Sequence, residues 1–160
     1  MEQVFETEKI RFVRVSERLV PDYLLMVNDI ERVDRYISGW HEPFTEEQEI
    51  AWVRRKLEEG AAVFSMIEKE SGAFIGNIEL TEPAERTGEL GVAITAAQQD
   101  RGYGTEAVLG MVRYGLDRLG LKRIFLRTSP ENARAIHVYE KCGFCEYDRT
   151  ETHVYMGLVR

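Results

Sequence analysis

The segment QQDRGYGTEA, Gln98–Ala107, decides how the rest of the chain is read. Gly102 and Gly104 stand two residues apart, Arg101 precedes them, and a good helix-forming run follows. The first N–H groups of a helix lack internal partners, and the helix dipole adds partial positive charge there. Glycines at such a mouth let the backbone close on an anion. Gly102–Ala107 also matches the dinucleotide fingerprint G-x-G-x-x-G/A. Its context does not. In a dinucleotide fold the first glycine follows its strand almost at once. Here residues 96–101 separate Gly102 from the strand-like run ELGVAIT, Glu89–Thr95. Too little chain follows for repeated parallel strand–helix units, and no G-K-[ST] phosphate loop is present. On the loop alone, glycines that merely let a helix start close to a sheet remain an alternative.

The bulk numbers bound what that anion is. The chain has 160 residues, the size of one domain, and residues 1–160 are read as a single unit. Such a chain buries roughly 70% of its unfolded surface without staples. Lys plus Arg total 21 against 28 Asp plus Glu, a net charge of −7. That balance argues against nucleic acid and anionic membrane surfaces and draws a cationic substrate weakly. No apolar run approaches 18 residues, so no bilayer span is expected. Cys142 and Cys145 read as small core residues. The three histidines, His41, His137 and His153, lack metal spacing, so no metal is expected. Without a signal peptide or a disulfide pattern the expected location is cytoplasmic.

Periodicity supplies the architecture. Ile10, Phe12, Val13 and Val15 predict a first strand with a phase slip, read as a bulge. Pro21 opens a helix carrying Tyr23, Met26, Val27 and Ile30. After Gly39 and Pro43, Thr45 and Gln48 form a capping box for a helix with Ile50, Val53 and Leu57 that stops before Gly60. AAVFSMIEKE, residues 61–70, is apolar on both faces and predicts an inner strand. AFIGNIELTE, residues 73–82, returns as its hairpin partner. A turn over Pro83–Gly88 leads into ELGVAIT. Gly102–Leu119 is helical, Lys122–Thr128 a strand, and Pro130–Lys141 holds a short helix ended by Gly143. Residues 144–148 and 153–159 close as a hairpin. Antiparallel strands, one strand–helix–strand crossover and a final hairpin make a mixed, mostly antiparallel α/β sheet flanked by helices, not a doubly wound one.

Two motifs then carry a resemblance. Gln99-Asp100-Arg101-Gly102-Tyr103-Gly104 is similar to the Q/R-x-x-G-x-G/A loop of the GNAT superfamily of N-acetyltransferases. Downstream, Asn132–Phe144 resembles that family's N-x-x-A-I-x-x-Y-E-K-x-G-F signature. The order of elements also resembles the family's across essentially the whole chain. The branch most similar in style holds ribosomal-protein N-terminal acetyltransferases and spermidine N-acetyltransferases. Asp100 departs from the glycine that many members carry, and the segment after Phe144 is short.

The resemblance implies acetyl-CoA in a splay between central strands. Its pyrophosphate would lie on the N–H groups of residues 101–105, with Gln99, Asp100, Arg101, Gly102, Tyr103, Gly104 and Thr105 forming the loop. Asp100 must then turn its carboxylate away. Main-chain groups of Val92, Ala93 and Ile94 would pair with the pantetheine arm, and Asn132 and Lys141 would add contacts. Tyr139 would be the general acid for the departing thiolate. Glu89, on a face with the small Gly91 and Ala93, is the expected base, with Glu79 and His41 as lesser candidates. Trp40–Phe44 reads equally as an acceptor pocket or a packed corner. The acceptor expected is a small cationic amine or a protein N-terminus, and a homodimer is the candidate assembly. A non-catalytic acyl-CoA sensor is the alternative.

Overall fold

The computed structural model describes residues 1–33 and 41–159. Eight strands among them form one sheet: β1 (Gln3–Glu6), β2 (Ile10–Arg14), β3 (Ala62–Glu68), β4 (Phe74–Ala84), β5 (Thr87–Ile94), β6 (Arg123–Thr128), β7 (Cys145–Arg149) and β8 (Val154–Val159). Their spatial order is β1-β2-β3-β4-β5-β6-β8-β7, and only β5 and β6 run parallel. Four helices cover the sheet: α1 (Val20–Val27), α2 (Glu46–Glu59), α3 (Tyr103–Asp117) and α4 (Ala133–Lys141). The expected fold class is the one observed.

Local chemistry sets the helix ends. The backbone N–H of Gln48 donates to Thr45 Oγ1 (3.2 Å) while Thr45 N–H donates to Gln48 Oε1 (2.9 Å), closing the capping box of α2. Gly60 ends that helix at φ 63°, a left-handed conformation that glycine adopts without strain. Pro21 stands in the first turn of α1. Asn132 caps α4, so Pro130 lies before the helix and not in it. Ile30 falls beyond the end of α1, and Leu57 and Leu119 are exposed.

Two cores lie on opposite faces. One packs α3 and α4 against Phe12, Phe64, Ile78, Leu80 and Leu90. The other packs α1 and α2 against Val13, Val63 and Ile67. This corrects the bulge expected in β2. Phe12 and Val13 are adjacent and both buried because each serves a different core, and β2 pairs with β3 in unbroken register. The irregularity lies instead in β1, between Gln3 and Phe5. β1 itself was not foreseen, because a four-residue, half-exposed edge strand shows no alternation. The turn expected over Pro83–Gly88 is tighter, because β4 runs to Ala84 and β5 starts at Thr87.

The feature that matters for function is a split. β6 meets β5 only at Thr87, Gly88 and Glu89. Beyond them β6 continues against β8, and β5 continues against β4 as far as Ile94. Strand residues alternately offer their main chain to one neighbour and the other. The edge of Leu90–Ile94 that β6 leaves therefore keeps main-chain groups without a strand partner.

Candidate active site

The glycine loop crosses the end of this split. Asp100 and Gly102 adopt left-handed φ values of 62° and 83°. The first internal bond of α3 runs from Glu106 N–H to the Gly102 carbonyl (3.3 Å). The N–H groups of Tyr103, Gly104 and Thr105 have no bond among the described residues. A Cβ at Gly104 would meet only the Val138 methyls, at 3.8 and 4.0 Å, and one at Gly102 nothing within 4 Å. The protein does not fill the space before these donors, and this cradle fits a pyrophosphate. Arg101 is exposed and makes no ion pair among the described residues.

Carboxylates near the cradle are turned aside. Arg134 Nε pairs with Asp100 Oδ1 at 3.3 Å. Glu106 Oε2 accepts from the Thr7 hydroxyl (2.5 Å) and the Lys9 N–H (2.9 Å). Tyr103 buries its ring and donates its hydroxyl to Glu68, so only its backbone faces the loop. Gln99 ties the site together. Its Nε2 donates to the carbonyls of Arg32 (2.7 Å) and Ile94 (3.1 Å), and its Oε1 accepts from Arg134 (2.7 Å). The end of β5, the chain after α1 and the start of α4 are thereby held around one opening.

α4 closes the other side. Asn132 Oδ1 accepts from Ala135 N–H at 3.2 Å, and its amide nitrogen has no partner among the described residues. Lys141 stands in the exposed last turn beside Cys142, whose thiol donates to the Thr105 carbonyl (3.7 Å). Tyr139 is 8% exposed, yet its hydroxyl has no hydrogen-bond partner among the described residues and is not sealed from solvent. Burial pushes its pKa up to about 12, and the nearby Cys142 adds to the rise. The group is a proton donor at any working pH.

On the opposite face a cavity of about 600 Å³ opens between α1, α2 and the sheet. Gly91, Val92 and Ala93 form part of its wall, so it reaches the unpaired edge of β5. Glu79 lies in it, across from Gly91. A Cβ at 91 would make ordinary van der Waals contact with Glu79 Cγ and Oε1, at 3.4 Å. Burial raises the Glu79 pKa, the Glu89 charge raises it further, and Lys56 partly opposes both. Glu49, also in the wall, is 8% exposed, its carboxylate has no hydrogen-bond or ion-pair partner among the described residues, and burial raises its pKa. Glu89 sits differently, since Arg127 Nε holds its Oε2 at 2.9 Å and it is not in the cavity wall.

Trp40 lies outside the described residues. His41 bonds the Glu42 carbonyl (2.7 Å) and tilts against Phe44. Phe44 lines the cavity and is clamped by Asn28 through both main-chain groups, at 2.8 and 3.1 Å. Among the described residues no group of three His, Cys, Asp or Glu is placed to hold a metal, and no helix is long and apolar enough to cross a membrane. Sequence reasoning missed Glu49, Asn77 and Arg134. The available signal was a polar residue at a buried phase: Glu49 four before Val53, and Asn77 inside the apolar run FIGNIEL.

Comparison with known proteins shows the family and the fold. The model of the acetyltransferase (GNAT) domain family matches residues 9–145. The uncharacterized N-acetyltransferase YnaD of Bacillus subtilis is 32% identical over 101 residues, 62% of this chain and 59% of that protein. The match thus spans less than two thirds of that relative. Spermidine N(1)-acetyltransferase of Vibrio cholerae is 27% identical over 127 residues, 77% of this chain and 73% of the relative. A crystal structure of the spermidine N-acetyltransferase from Vibrio cholerae in complex with CoA and spermine shares the fold, at TM-score 0.81 and 19% identity over 96% of each chain. With residues 9–145 matched by the family model, this chain belongs to the GNAT family of acetyltransferases, which take their acetyl group from acetyl-CoA.

Proposed function

We propose that the enzyme moves the acetyl group of acetyl-CoA to a cationic primary amine that enters the cavity between α1 and α2. The observation that carries this reading is two carboxylates, Glu49 and Glu79, with no salt bridge among the described residues, in a cavity that reaches the free edge of β5. The relationship to a spermidine N(1)-acetyltransferase supports an amine acceptor without naming it.

Bound at the cradle, acetyl-CoA supplies a thioester open to attack by an amine. The N–H groups of Tyr103, Gly104 and Thr105, with Arg101, hold the pyrophosphate, and Asn132 bonds the arm. Main-chain donors on the free edge of β5, around Val92, polarise the thioester carbonyl as attack begins. Glu79 is the better-placed base. Its raised pKa improves its match to an ammonium proton, and it faces the cavity, whereas Glu89 is engaged by Arg127. Tyr139 donates a hydrogen bond to the sulfur as the C–S bond breaks. With tyrosine pushed up to about 12 and a thiol near 8.5, complete proton transfer is uphill by about 5 kcal/mol, so hydrogen bonding to developing charge is the main contribution.

A thiol-release assay with acetyl-CoA across polyamines, alkylamines and peptide N-termini tests the reading. Release should depend on a primary amine, and amine-independent release would count against it. Glu79→Gln should lower kcat about 10²-fold while acetyl-CoA affinity holds. A larger loss in Glu89→Gln would return the base to Glu89.

A further inference from the structure

The wall of the acceptor cavity contains a hydrogen-bond donor held in a fixed direction. Ser16 N–H donates to Tyr23 Oη (3.2 Å), Tyr23 and Ser65 hydroxyls share a bond of 2.5 Å, and Ser65 Oγ donates to Asn77 Oδ1 (2.8 Å). Tyr23 and Ser65 are fully buried. Tyr23 oxygen already accepts from Ser16, and Ser65 is its only other hydrogen-bond partner among the described residues. If Ser65 gave its proton to Tyr23, the buried tyrosine proton would have no acceptor among the described residues, and leaving a buried donor unpaired is costly. The order is therefore Ser16 to Tyr23 to Ser65 to Asn77. Each hydroxyl spends its single proton forward. Asn77 Oδ1 is turned toward Ser65, and its NH2 group is left for the cavity, where it has no partner among the described residues.

Polar machinery of this kind inside an apolar core is unnecessary for reading an amine, which offers only protons when charged. It suits an oxygen. Asn77 and Glu79 stand two apart on one face of β4, about 7 Å along the strand. An amine on Glu79 and a carbonyl one carbon away, on Asn77, fill that span. Lys56 also lines this wall and acts on Glu79, which disfavours an acceptor carrying further cations along its length. We infer that Asn77 is a specificity-determining residue that donates to a carbonyl oxygen beside the reacting amine, so that the acceptor is the α-amine of an amino acid derivative or a peptide. This rests on the reading of the cavity as the acceptor site.

The test compares alaninamide and a short alanyl peptide with 3-methyl-2-butanamine, which has the shape of alaninamide without its carbonyl. For each amine the readout is the variant's kcat/KM over that of the wild type, so intrinsic amine reactivity cancels. Asn77→Leu removes the donor. Asn77→Asp keeps the bond from Ser65 and replaces the donor with an acceptor. Asn77→Leu should lose about 10- to 100-fold on the carbonyl-bearing amines and stay within about twofold on the alkylamine, as expected for one buried hydrogen bond, and Asn77→Asp should lose more on the carbonyl-bearing amines than on the alkylamine. Ser65→Ala, which frees the Asn77 amide to rotate, should show the same selectivity with a smaller loss. A peptide response without an alaninamide response assigns the contact to a peptide chain, and both responses assign it to any α-amino carbonyl compound. Equal losses on all amines, or none, overturn the role of Asn77 while leaving the acceptor cavity standing. Absence of wild-type turnover with any of the amines overturns both.

Discussion

Tyr139 is placed so that its ring and its hydroxyl serve different ends. The ring packs beside Phe144, with centroids 6.0 Å apart, while the hydroxyl makes no hydrogen bond among the described residues. Tyr139→Phe should therefore keep the fold and the acetyl-CoA affinity and lower kcat about 10²-fold, an effect confined to the transition state. Steady-state kinetics at saturating acetyl-CoA, with chemistry rate-limiting, checks it. Glu49 makes a second case at this scale. Burial raises its pKa, and no cation offsets the rise. The folded chain then holds this proton more tightly than the unfolded one. Its effect on stability is most favourable below the usual carboxylate range and is lost as pH rises through the raised value. Glu49→Gln should raise the Tm more at about pH 8 than at about pH 4, both sides of the ordinary carboxylate pKa. Equal gains in thermal melts at the two pH values would reject the account.

Helix α3 leaves its first N–H groups open at one end and lies close on the sheet along its length. A Cβ at Gly115 would come within 2.8 Å of Leu80 Cδ1, so that glycine sets the approach of helix to sheet. Gly104 differs, since the protein leaves the space before it open. Gly104→Val should thus remain folded by circular dichroism yet bind acetyl-CoA at least about tenfold more weakly, roughly 1.4 kcal/mol. The branched side chain would stand between the N–H groups and the phosphates. Unchanged affinity by titration calorimetry would move the phosphate site elsewhere.

At the scale of the molecule, the site is held by three elements that touch through a single side chain. Gln99 reaches β5, the chain after α1, and α4 through Arg134. A cofactor lying across that junction should stabilise the native state alone. At 100 times its Kd, acetyl-CoA is expected to add about 2.7 kcal/mol, seen as a raised Tm, whereas NAD and ATP should do little. Equal stabilisation by NAD would contradict the site described.

Much of this was legible in the order of the residues, because the signals were local. A helix N-terminus with Gly102 and Gly104, the capping box at Thr45 and Gln48, and the period change after Thr95 depend on neighbours in sequence. The paired loop and Asn132–Phe144 motifs were enough to indicate the family. The choice among carboxylates was not legible. Glu89 shares a strand face with Gly91 and Ala93, and Glu79 with Asn77 and Thr81, and only the packed fold pairs Glu89 with Arg127 and leaves Glu79 in the cavity. The phase slip at Phe12 and Val13 likewise has one pattern and two causes, a bulge or a sheet covered on both sides, and the second core decided between them. The direction of the Ser16–Tyr23–Ser65–Asn77 chain joins residues 16 and 77, which only the tertiary structure brings together. The sequence by itself determined most of the elements and the glycine loop at the start of α3, whose groups are near in the chain. The tertiary structure decided burial, ion pairing and hydrogen-bond direction, because these are set by groups far apart along it.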